Sequence, residues 1–214
     1  RIESDEQNVI QTAYHILVAS TPELLEQGKG DIWDSGKIES DASQWIAYQG
    51  KTLKRNAPYY WKVKIDTNKG TTDWSTPAFW TTGLFNEADW QGQWIGLDKA
   101  APGDSETQWS RLAARYLRKE FALKKEVKRA TVHIAGMGLY ELFINGQRIG
   151  NQVLAPAPTD YRKTILYNTY DVTSLLQTEN AIGVTLGNGR FYTMRQNYKP
   201  YKIPTFGYPK LRLN

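Results

Sequence analysis

The chain has 214 residues, contains no cysteine and carries a formal net charge of +5. This length suits one large or two small domains, and the lack of cysteine excludes disulfides, thiolate metal sites and cysteine nucleophiles within these residues. The basic residues are spread along the chain, and no apolar run approaches the roughly 18 residues that a membrane helix needs. We therefore expect no nucleic-acid partner and no membrane partner.

The composition is rich in aromatic residues, with 8 Trp, 13 Tyr and 6 Phe. Aromatic side chains favour β-strands, and their rings also suit stacking on sugars, although core filling is their more common use. No segment has the periodicity of an amphipathic helix, apart from one helical turn expected near residues 173–177. Composition and pattern together predict an all-β chain.

In the first half of the chain, short β-prone segments are separated by turn residues. The clearest segment places Tyr59, Trp61, Val63 and Ile65 on one face and the intervening residues on the other. Strands at this spacing indicate a β-sandwich over residues 1–84. The strands predicted there are residues 11–20, 31–36, 45–48, 59–65 and 78–82.

The spacing of Leu53, Tyr59, Trp61 and Val63 is similar to the fibronectin type III pattern, in which a leucine precedes a strand with a corner tyrosine. The resemblance implies a fibronectin-III/immunoglobulin-like sandwich. The hydroxyl of a corner tyrosine ties a loop to the sheet, so the role predicted for Tyr59 is structural.

Residues 85–95 are predicted to form a linker, and its Trp90 and Trp94 are expected to pack between domains. A second series of strands follows and predicts an incomplete jelly roll over residues 96–214. Asn145 and Gly146 mark a two-residue hairpin turn, because both positions of a type I′ turn need a positive φ. The strands predicted are residues 115–123, 129–134, 139–144, 147–150, 167–172, 181–186 and 210–213.

The last predicted strand, residues 210–213, has no strand after it with which to pair. We therefore expect the polypeptide to continue beyond both ends of the sequence. On this expectation, the lack of a signal peptide says little about location.

An ordered set of motifs closely resembles the jelly-roll domain of bacterial α-L-rhamnosidases, which form glycoside hydrolase family 78. The motifs are GMGLYELFINGQRIG (136–150), LAP (154–156), TDY (159–161), YNTYDVT (167–173), NAIGV (180–184) and LGNGRFY (186–192). Upstream segments resemble the family in the same order, namely WDSGK (33–37), YQG (48–50) with Leu53, GL (83–84) and WIG (94–96). One departure is Arg190, which stands where the family usually has an aromatic residue after the glycine.

The resemblance implies an enzyme that hydrolyses terminal α-L-rhamnosyl groups by inversion, with its carboxylates on an (α/α) barrel that follows the β-domains. No array of helical hairpins is present in this sequence, so we expect the catalytic residues to lie outside it. The segment would then support the barrel of the same polypeptide and contact a rhamnose-containing glycan or rhamnoside. On this basis the chain alone is expected to have no enzymatic activity.

Six residues on the strands and loops of the second half are candidates for sugar binding: Glu141, Asn145, Asp160, Tyr161, Asn188 and Arg190. Period two places Glu141 on the face of Leu139 and Phe143, so its carboxylate is expected between apolar neighbours. A hydrogen-bonding role that fixes a neighbouring loop is favoured over catalysis for Glu141. Asx-turn capping is the default expectation for Asp160.

No cofactor is required by this interpretation, although calcium is a candidate. Calcium takes six to eight oxygen ligands, and Asn145, Asp160, Asn188 and carbonyls near Gly189 are the groups that would supply some of them. His15 and His133 lie in predicted strands without neighbours that would indicate a metal site, and we expect both to pack against the sheets.

Three alternative functions stay open at this point. They are a stand-alone carbohydrate-binding module, the accessory domains of another glycosidase such as a β-galactosidase relative, and an adhesion protein. The expected location is the periplasm or the exterior of a bacterium, with the cytoplasm as the alternative.

Overall fold

A computed structural model describes residues 3–99, 112–192 and 206–214. The chain divides into two compact units, Arg1–Asp89 and Trp90–Asn214. The described part is dominated by antiparallel strands, which confirms the predicted all-β fold class. The longest helix among the described residues has five residues, whereas a helix that crosses a bilayer needs about 20.

The described residues of the first unit form one five-stranded antiparallel sheet. Its strands are β1 (Gln11–Ala19), β2 (Trp33–Glu39), β3 (Pro58–Thr67), β4 (Gly70–Thr71) and β5 (Ala78–Thr81). The strand order is β2-β1-β3-β4, and β5 also pairs with β3. Four of the five strands predicted in this half are therefore present, with ends that differ from the predicted ones by at most three residues.

Residues 45–48, also predicted as a strand, form none in the structure. Trp45 instead has a left-handed backbone with φ of 59° and is 97% exposed. A strand needs a hydrogen-bonded neighbour, and the sheet of the first unit contains no strand beside this segment. The prediction of a strand at residues 45–48 is therefore wrong for the chain as described.

A short helix, α1 (Pro22–Glu26), follows β1 where a plain turn was expected. The Thr21 side chain accepts a hydrogen bond from the Leu24 backbone N–H, and Pro22 occupies the first helical turn. Both features are typical of helix starts. This helix was not predicted, because a single turn is too short to show a helical periodicity.

The two faces of the first sheet have different surroundings. One face carries Leu17 and Tyr60, which pack with Leu25 of α1 and with Trp74. The opposite face carries a continuous set of apolar residues, because every second residue of a strand points the same way. They are Tyr14, Ile16 and Val18 of β1 and Trp61, Val63 and Ile65 of β3.

Tyr59 is 3% exposed and has the role expected of a corner tyrosine. Its hydroxyl accepts a hydrogen bond of 2.6 Å from the Lys54 backbone N–H. The hydroxyl of Thr82 donates to the Lys54 carbonyl at 2.6 Å from the other side of the same loop. The loop before β3 is therefore fixed to the sheet at two points.

The second unit contains two four-stranded antiparallel sheets among its described residues. Their orders are β10-β9-β12-β7 and β11-β8-β13-β6. The strands are β6 (Ile95–Gly96), β7 (Arg115–Ala122), β8 (Thr131–Met137), β9 (Leu139–Ile144), β10 (Gln147–Ile149), β11 (Tyr167–Asp171), β12 (Glu179–Gly187) and β13 (Lys210–Leu213). A short 3-10 turn, Thr173–Leu175, lies where one helical turn was predicted.

Both sheets of the second unit contribute to one core. Ile134 of β8, Leu142 of β9 and Leu186 of β12 are each at most 1% exposed and belong to one apolar cluster. Leu211 of β13 joins the same cluster, and β13 pairs with both β8 and β6. The last predicted strand therefore finds its partners among strands that precede it in the chain.

The stretch predicted as a linker, residues 85–95, is divided between the units. Asp89 pairs with Arg55 in the first unit, with 2.5 Å between their charged atoms. Trp90 lies edge-on to Tyr167 in the second unit, with the ring centroids 5.4 Å apart.

Candidate functional site

The six candidate residues lie on four elements of the second unit, namely strand β9, the hairpin turn after it and two loops. Glu141 lies in the middle of β9 and Asn145 at its far end, in the hairpin turn. The other four lie on two loops, near residues 160 and 188–190. The structure therefore does not unite the six candidates in one site.

Glu141 shares a face of β9 with Leu139 and Phe143, as the alternation predicted, but this face points outward. Its side chain is 51% exposed and accepts a hydrogen bond of 3.2 Å from Arg148 Nε. The prediction of apolar surroundings for this carboxylate is therefore wrong. Alternation shows which residues share a face of the strand, but it does not show which of the two faces is covered by the rest of the protein.

The partner of Glu141 binds a loop. The guanidinium of Arg148 donates to the carbonyl of Gln152 at 2.7 Å and to that of Gly150 at 3.4 Å. Glu141 thus orients Arg148, which holds the turn that follows β10. This arrangement matches the loop-fixing role that we favoured for Glu141.

Asn145 uses its side chain within the fold. Its Nδ2 group donates to the Leu175 carbonyl and to Asn180 Oδ1, both at 3.0 Å. Its Oδ1 accepts from the Ala181 backbone N–H at 2.8 Å. Its φ of 51° and the φ of 81° at Gly146 are those that the predicted two-residue turn needs. These bonds leave Asn145 little capacity for a sugar or an ion.

Asp160 is tied to its own loop. Its carboxylate accepts from the backbone N–H of Arg162 at 3.2 Å, which is the expected Asx-turn bond, and from the guanidinium of Arg162 at 3.0 and 3.2 Å. The side-chain hydrogen bond from Arg162 is the main reason that the pKa of Asp160 is lowered. Asp160 is therefore ionised and already neutralised by a neighbour, which is unsuited to a general acid.

Tyr161 packs beside the loop that carries Asn188 and Arg190. Its ring lies edge-on to Phe191, with centroids 5.2 Å apart, and edge-on to Phe206 at 5.4 Å. Burial raises the pKa of Tyr161, and the positive charge of Arg190 partly opposes that rise. We refer to Tyr161, Asn188, Arg190 and Phe191 as the loop cluster.

Within the loop cluster, Asn188 and Arg190 differ in how they are used. Asn188 is half-buried, and its Nδ2 group donates to the Leu112 carbonyl at 3.1 Å. Arg190 is exposed and follows Gly189, whose φ is 52°. The cluster thus presents one exposed cation beside a half-buried aromatic ring.

The two aromatic residues that hold Tyr161 were not among the candidates. Phe191 lies within a quoted motif, and its place directly after Arg190 was an available signal. Phe206 is 45 positions from Tyr161 in the sequence, and no local pattern links the two. Only the tertiary fold brings these rings together.

Two of the groups considered for a calcium site, Asn145 and Asp160, are engaged within the fold. The described residues contain no group of three or more His, Cys, Asp and Glu side chains that could hold a metal ion. Asp160 is bonded to Arg162, and Asn145 is used by its turn. Calcium needs six to eight oxygen ligands, and calcium binding by the loops near Asn188 stays a prediction.

A catalytic pair of carboxyl groups is likewise not formed by Glu141 and Asp160. Hydrolysis of a glycosidic bond needs two carboxyl groups on either side of the bond, about 5–9.5 Å apart. Glu141 lies on the outer face of a strand with Arg148, whereas Asp160 lies in a loop with Arg162. Both are ion-paired and exposed or half-exposed, and neither has the environment of a proton donor.

Comparison with known proteins gives a consistent result for both units. Residues 1–86 match the family model described as "Rha78A-like, N-terminal immunoglobulin domain". Residues 125–214 match the model "Alpha-L-rhamnosidase N-terminal domain".

Individual relatives agree with the two domain matches. An α-L-rhamnosidase from Formosa agariphila is 40% identical over 205 residues, which cover 88% of this chain and 21% of that protein. The solved α-L-rhamnosidase from Dictyoglumus thermophilum has a TM-score of 0.85 at 39% identity, over 99% of this chain and 24% of that one.

A more distant structure supports the fold alone. It is an α-L-rhamnosidase from Streptomyces avermitilis complexed with L-rhamnose, with a TM-score of 0.82 at 20% identity, over 98% of this chain and 36% of that one.

The chain spans about a fifth of the length of the curated relatives it matches, between 17% and 21%. Both of its units match family models that are described as N-terminal domains. Over both units the chain is therefore similar to the N-terminal region of α-L-rhamnosidases: its first unit matches their N-terminal immunoglobulin domain and its second unit matches the α-L-rhamnosidase N-terminal domain.

Proposed function

We propose that this chain is the N-terminal accessory region of an enzyme that hydrolyses terminal α-L-rhamnosyl groups with inversion. The observation that carries the proposal is the ordered match of both units to N-terminal domains of α-L-rhamnosidases. The carboxylates of the described residues support it too, because Glu141 and Asp160 are engaged in structural ion pairs. The catalytic acid and base would lie elsewhere in the polypeptide, on an (α/α) barrel.

The reaction itself is testable with the longer polypeptide to which the chain belongs. Incubation with an aryl α-L-rhamnoside, followed by proton NMR, identifies the anomer of rhamnose that is released first. Inversion releases the β-anomer, because water attacks the face opposite the leaving group. Initial release of the α-anomer would reject inversion, and no release of rhamnose would reject the activity.

The role proposed for this segment is support of the barrel and of the entrance to its site. The chain matches only about a fifth of the length of its relatives, which supports a role within a larger protein. The matches do not favour the alternatives of a stand-alone module or of a β-galactosidase relative. Removing residues 1–214 from the longer polypeptide should lower its melting temperature by several degrees. An unchanged melting temperature and unchanged kinetics would contradict the supporting role.

We also propose that the loop cluster contacts the rhamnose-containing substrate. Arg190 is an exposed hydrogen-bond donor beside Tyr161, a combination suited to a sugar hydroxyl and an apolar sugar face. Calorimetric titration of the chain with L-rhamnose should give measurable heat at millimolar sugar, with and without calcium. The variant Arg190→Ala should lose it, whereas Arg118→Ala, at an exposed arginine on β7, should retain it. No heat at millimolar sugar would reject the contact.

A further inference from the structure

The first unit has one sheet where an immunoglobulin-like sandwich has two. Such sandwiches pack two antiparallel sheets face to face around an apolar core. Here the described strands form a single sheet, and the face that bears Tyr14, Ile16, Trp61 and Val63 has no second sheet against it. This open face borders a cavity of about 820 Å³.

The lining of the cavity is typical of the inside of a sandwich. Trp33 of β2 and Trp80 of β5 extend the open face on either side, and Trp80 packs against the buried Tyr59 at 5.7 Å. Among the described residues, no Asp, Glu, Lys or Arg side chain lines the cavity. A contiguous apolar surface of this kind is seldom left in water, and its lack of charge indicates an apolar partner.

The corner tyrosine identifies which strands are present. In an immunoglobulin-like sandwich the corner tyrosine stands near the start of strand F, whose sheet neighbours are C and G. Tyr59 starts β3, and the hydrogen bond from Lys54 N–H to its hydroxyl is the corner contact. β3 pairs with β1 along one edge and with β4 and β5 along the other, so β1 corresponds to strand C, and β4 and β5 together correspond to strand G.

This assignment places two strands before β1. Strands A and B of the sandwich precede C in the chain and belong to the opposing sheet. Ten residues precede β1, and the described ones among them, residues 3–10, form no strand. The opposing sheet therefore lacks A and B in the described structure.

Residues 45–48 give an independent indication that part of the opposing sheet is missing. They were predicted as a strand, and they fall between β2 and β3, where strand E of the opposing sheet belongs. In the structure they form no strand, and residues 42–46 contribute to the lining of the cavity. Trp45 is almost fully exposed and has a left-handed backbone. A strand E whose neighbour B is absent would have these properties.

We propose that the open face is covered by two β-strands from a segment of the same polypeptide that precedes Arg1, and that residues 45–48 pair with them as a third strand. The relatives are about five times as long as this chain, and a polypeptide of similar length would have room for such a segment. Its strands would alternate, with uncharged apolar side chains toward Trp61 and Val63. The strands of the first unit would then form the sheet of a sandwich that contains C, F and G, and the segment before Arg1 would supply strands A and B of the opposing sheet.

Cysteine accessibility tests this proposal, because residues 1–214 contain no cysteine. The variant Val63→Cys places a thiol on the open face, and Lys69→Cys places a matched thiol on the exposed turn after β3. Each is made in three polypeptides: residues 1–214, the same residues extended upstream by the natural sequence, and the same residues extended only downstream. Reaction with a maleimide is followed at the level of the labelled peptide by mass spectrometry.

The thiol at residue 63 should react at least ten times more slowly in the upstream-extended polypeptide than in residues 1–214. The thiol at residue 69 should react equally in all three. Equal reactivity at residue 63 with and without the upstream segment would overturn the proposal. Protection that needs only the downstream sequence would overturn it as well, as would protection in residues 1–214 that increases with concentration, which would indicate a second copy.

A second measurement covers the case in which Val63→Cys does not fold. Amide hydrogen exchange of residues 44–48 in the unsubstituted polypeptides should slow at least tenfold on upstream extension, because a strand E would acquire ladder hydrogen bonds. Exchange that stays fast in the upstream-extended polypeptide would overturn the proposal.

Discussion

The two units contain strands of similar alternation, but they differ in what the apolar face meets. In the second unit two sheets face each other, and residues such as Ile134, Leu142 and Leu211 are essentially removed from water. In the first unit Ile16 and Val63 have the same alternation, yet they border an open cavity. Alternation therefore creates an apolar face, whereas a core requires a second sheet.

The largest expected effect is on stability, and it is measured by making the same substitution, isoleucine to alanine, on the apolar face of each unit. Ile134→Ala should reduce the free energy of unfolding of the second unit by about 2–5 kcal/mol, as for fully buried isoleucines. Ile16→Ala should cost the first unit about 1 kcal/mol or less, since its site is partly open. Urea unfolding followed by hydrogen exchange of peptides from each unit measures both. Equal losses would mean that the first face is already covered.

The second expected effect concerns the hydrogen bonds that anchor the hairpin of the second unit. Asn145→Ala removes bonds to Leu175, Asn180 and Ala181 and should destabilise this unit by about 1–3 kcal/mol. Asn151→Ala, at an exposed position, is the matched control and should change little. Urea unfolding gives the stability, and the L-rhamnose titration should be unaffected. A loss of sugar binding without a loss of stability would assign Asn145 to the sugar instead.

A smaller effect is expected in the first unit from the corner tyrosine. Tyr59→Phe removes the acceptor for the Lys54 N–H and should cost about 1 kcal/mol of unfolding free energy. Tyr60→Phe, on the opposite face where the ring packs against Phe79, should cost less. Thermal unfolding of both variants measures the difference. If the two variants were equally stable, Tyr59 would not act as the corner residue.

The smallest effect expected is a pH dependence confined to the second unit. Burial of His133, which is 1% exposed, lowers its pKa below the usual 6.5. Its Nδ1 is hydrogen-bonded to Thr169 Oγ1 at 2.9 Å, and its Nε2 has no partner among the described residues. The unfolded chain then binds a proton more readily than the folded one, so stability is present above about pH 6.5 and falls below it.

Thermal unfolding between pH 7.5 and 5 measures this dependence. The variant His133→Gln should lack the part of the decline that begins near pH 6.5, while keeping the decline that carboxylates cause at lower pH. A variant that declines in parallel with the natural chain would show that His133 is not responsible.

Local chemistry was enough to predict much of the second unit. Asn145 and Gly146 define the hairpin, and the strand Lys210–Leu213 has the predicted ends. The sequence did not reveal which side of β9 is covered, so Glu141 was expected in apolar surroundings although it lies in water. Phe206 was missed for a similar reason, since its contact with Tyr161 joins distant parts of the chain.

In the first unit the failures have two different causes. The helix α1 was missed because Thr21 and Pro22 are typical of both turns and helix starts. Residues 45–48 have the sequence of a strand but lack a neighbour in the described sheet. Local preference and available partners disagree there, and this disagreement is what led to the proposed upstream strands.

The central functional claim is that residues 1–214 are an accessory region without the catalytic carboxylates. Its most direct test is an assay of the purified chain on an aryl α-L-rhamnoside, at high protein concentration, beside the longer polypeptide as the positive control. The chain alone should release no aryl alcohol above the rate of the buffer, whereas the longer polypeptide should. Turnover by residues 1–214 that persists through purification would contradict the account.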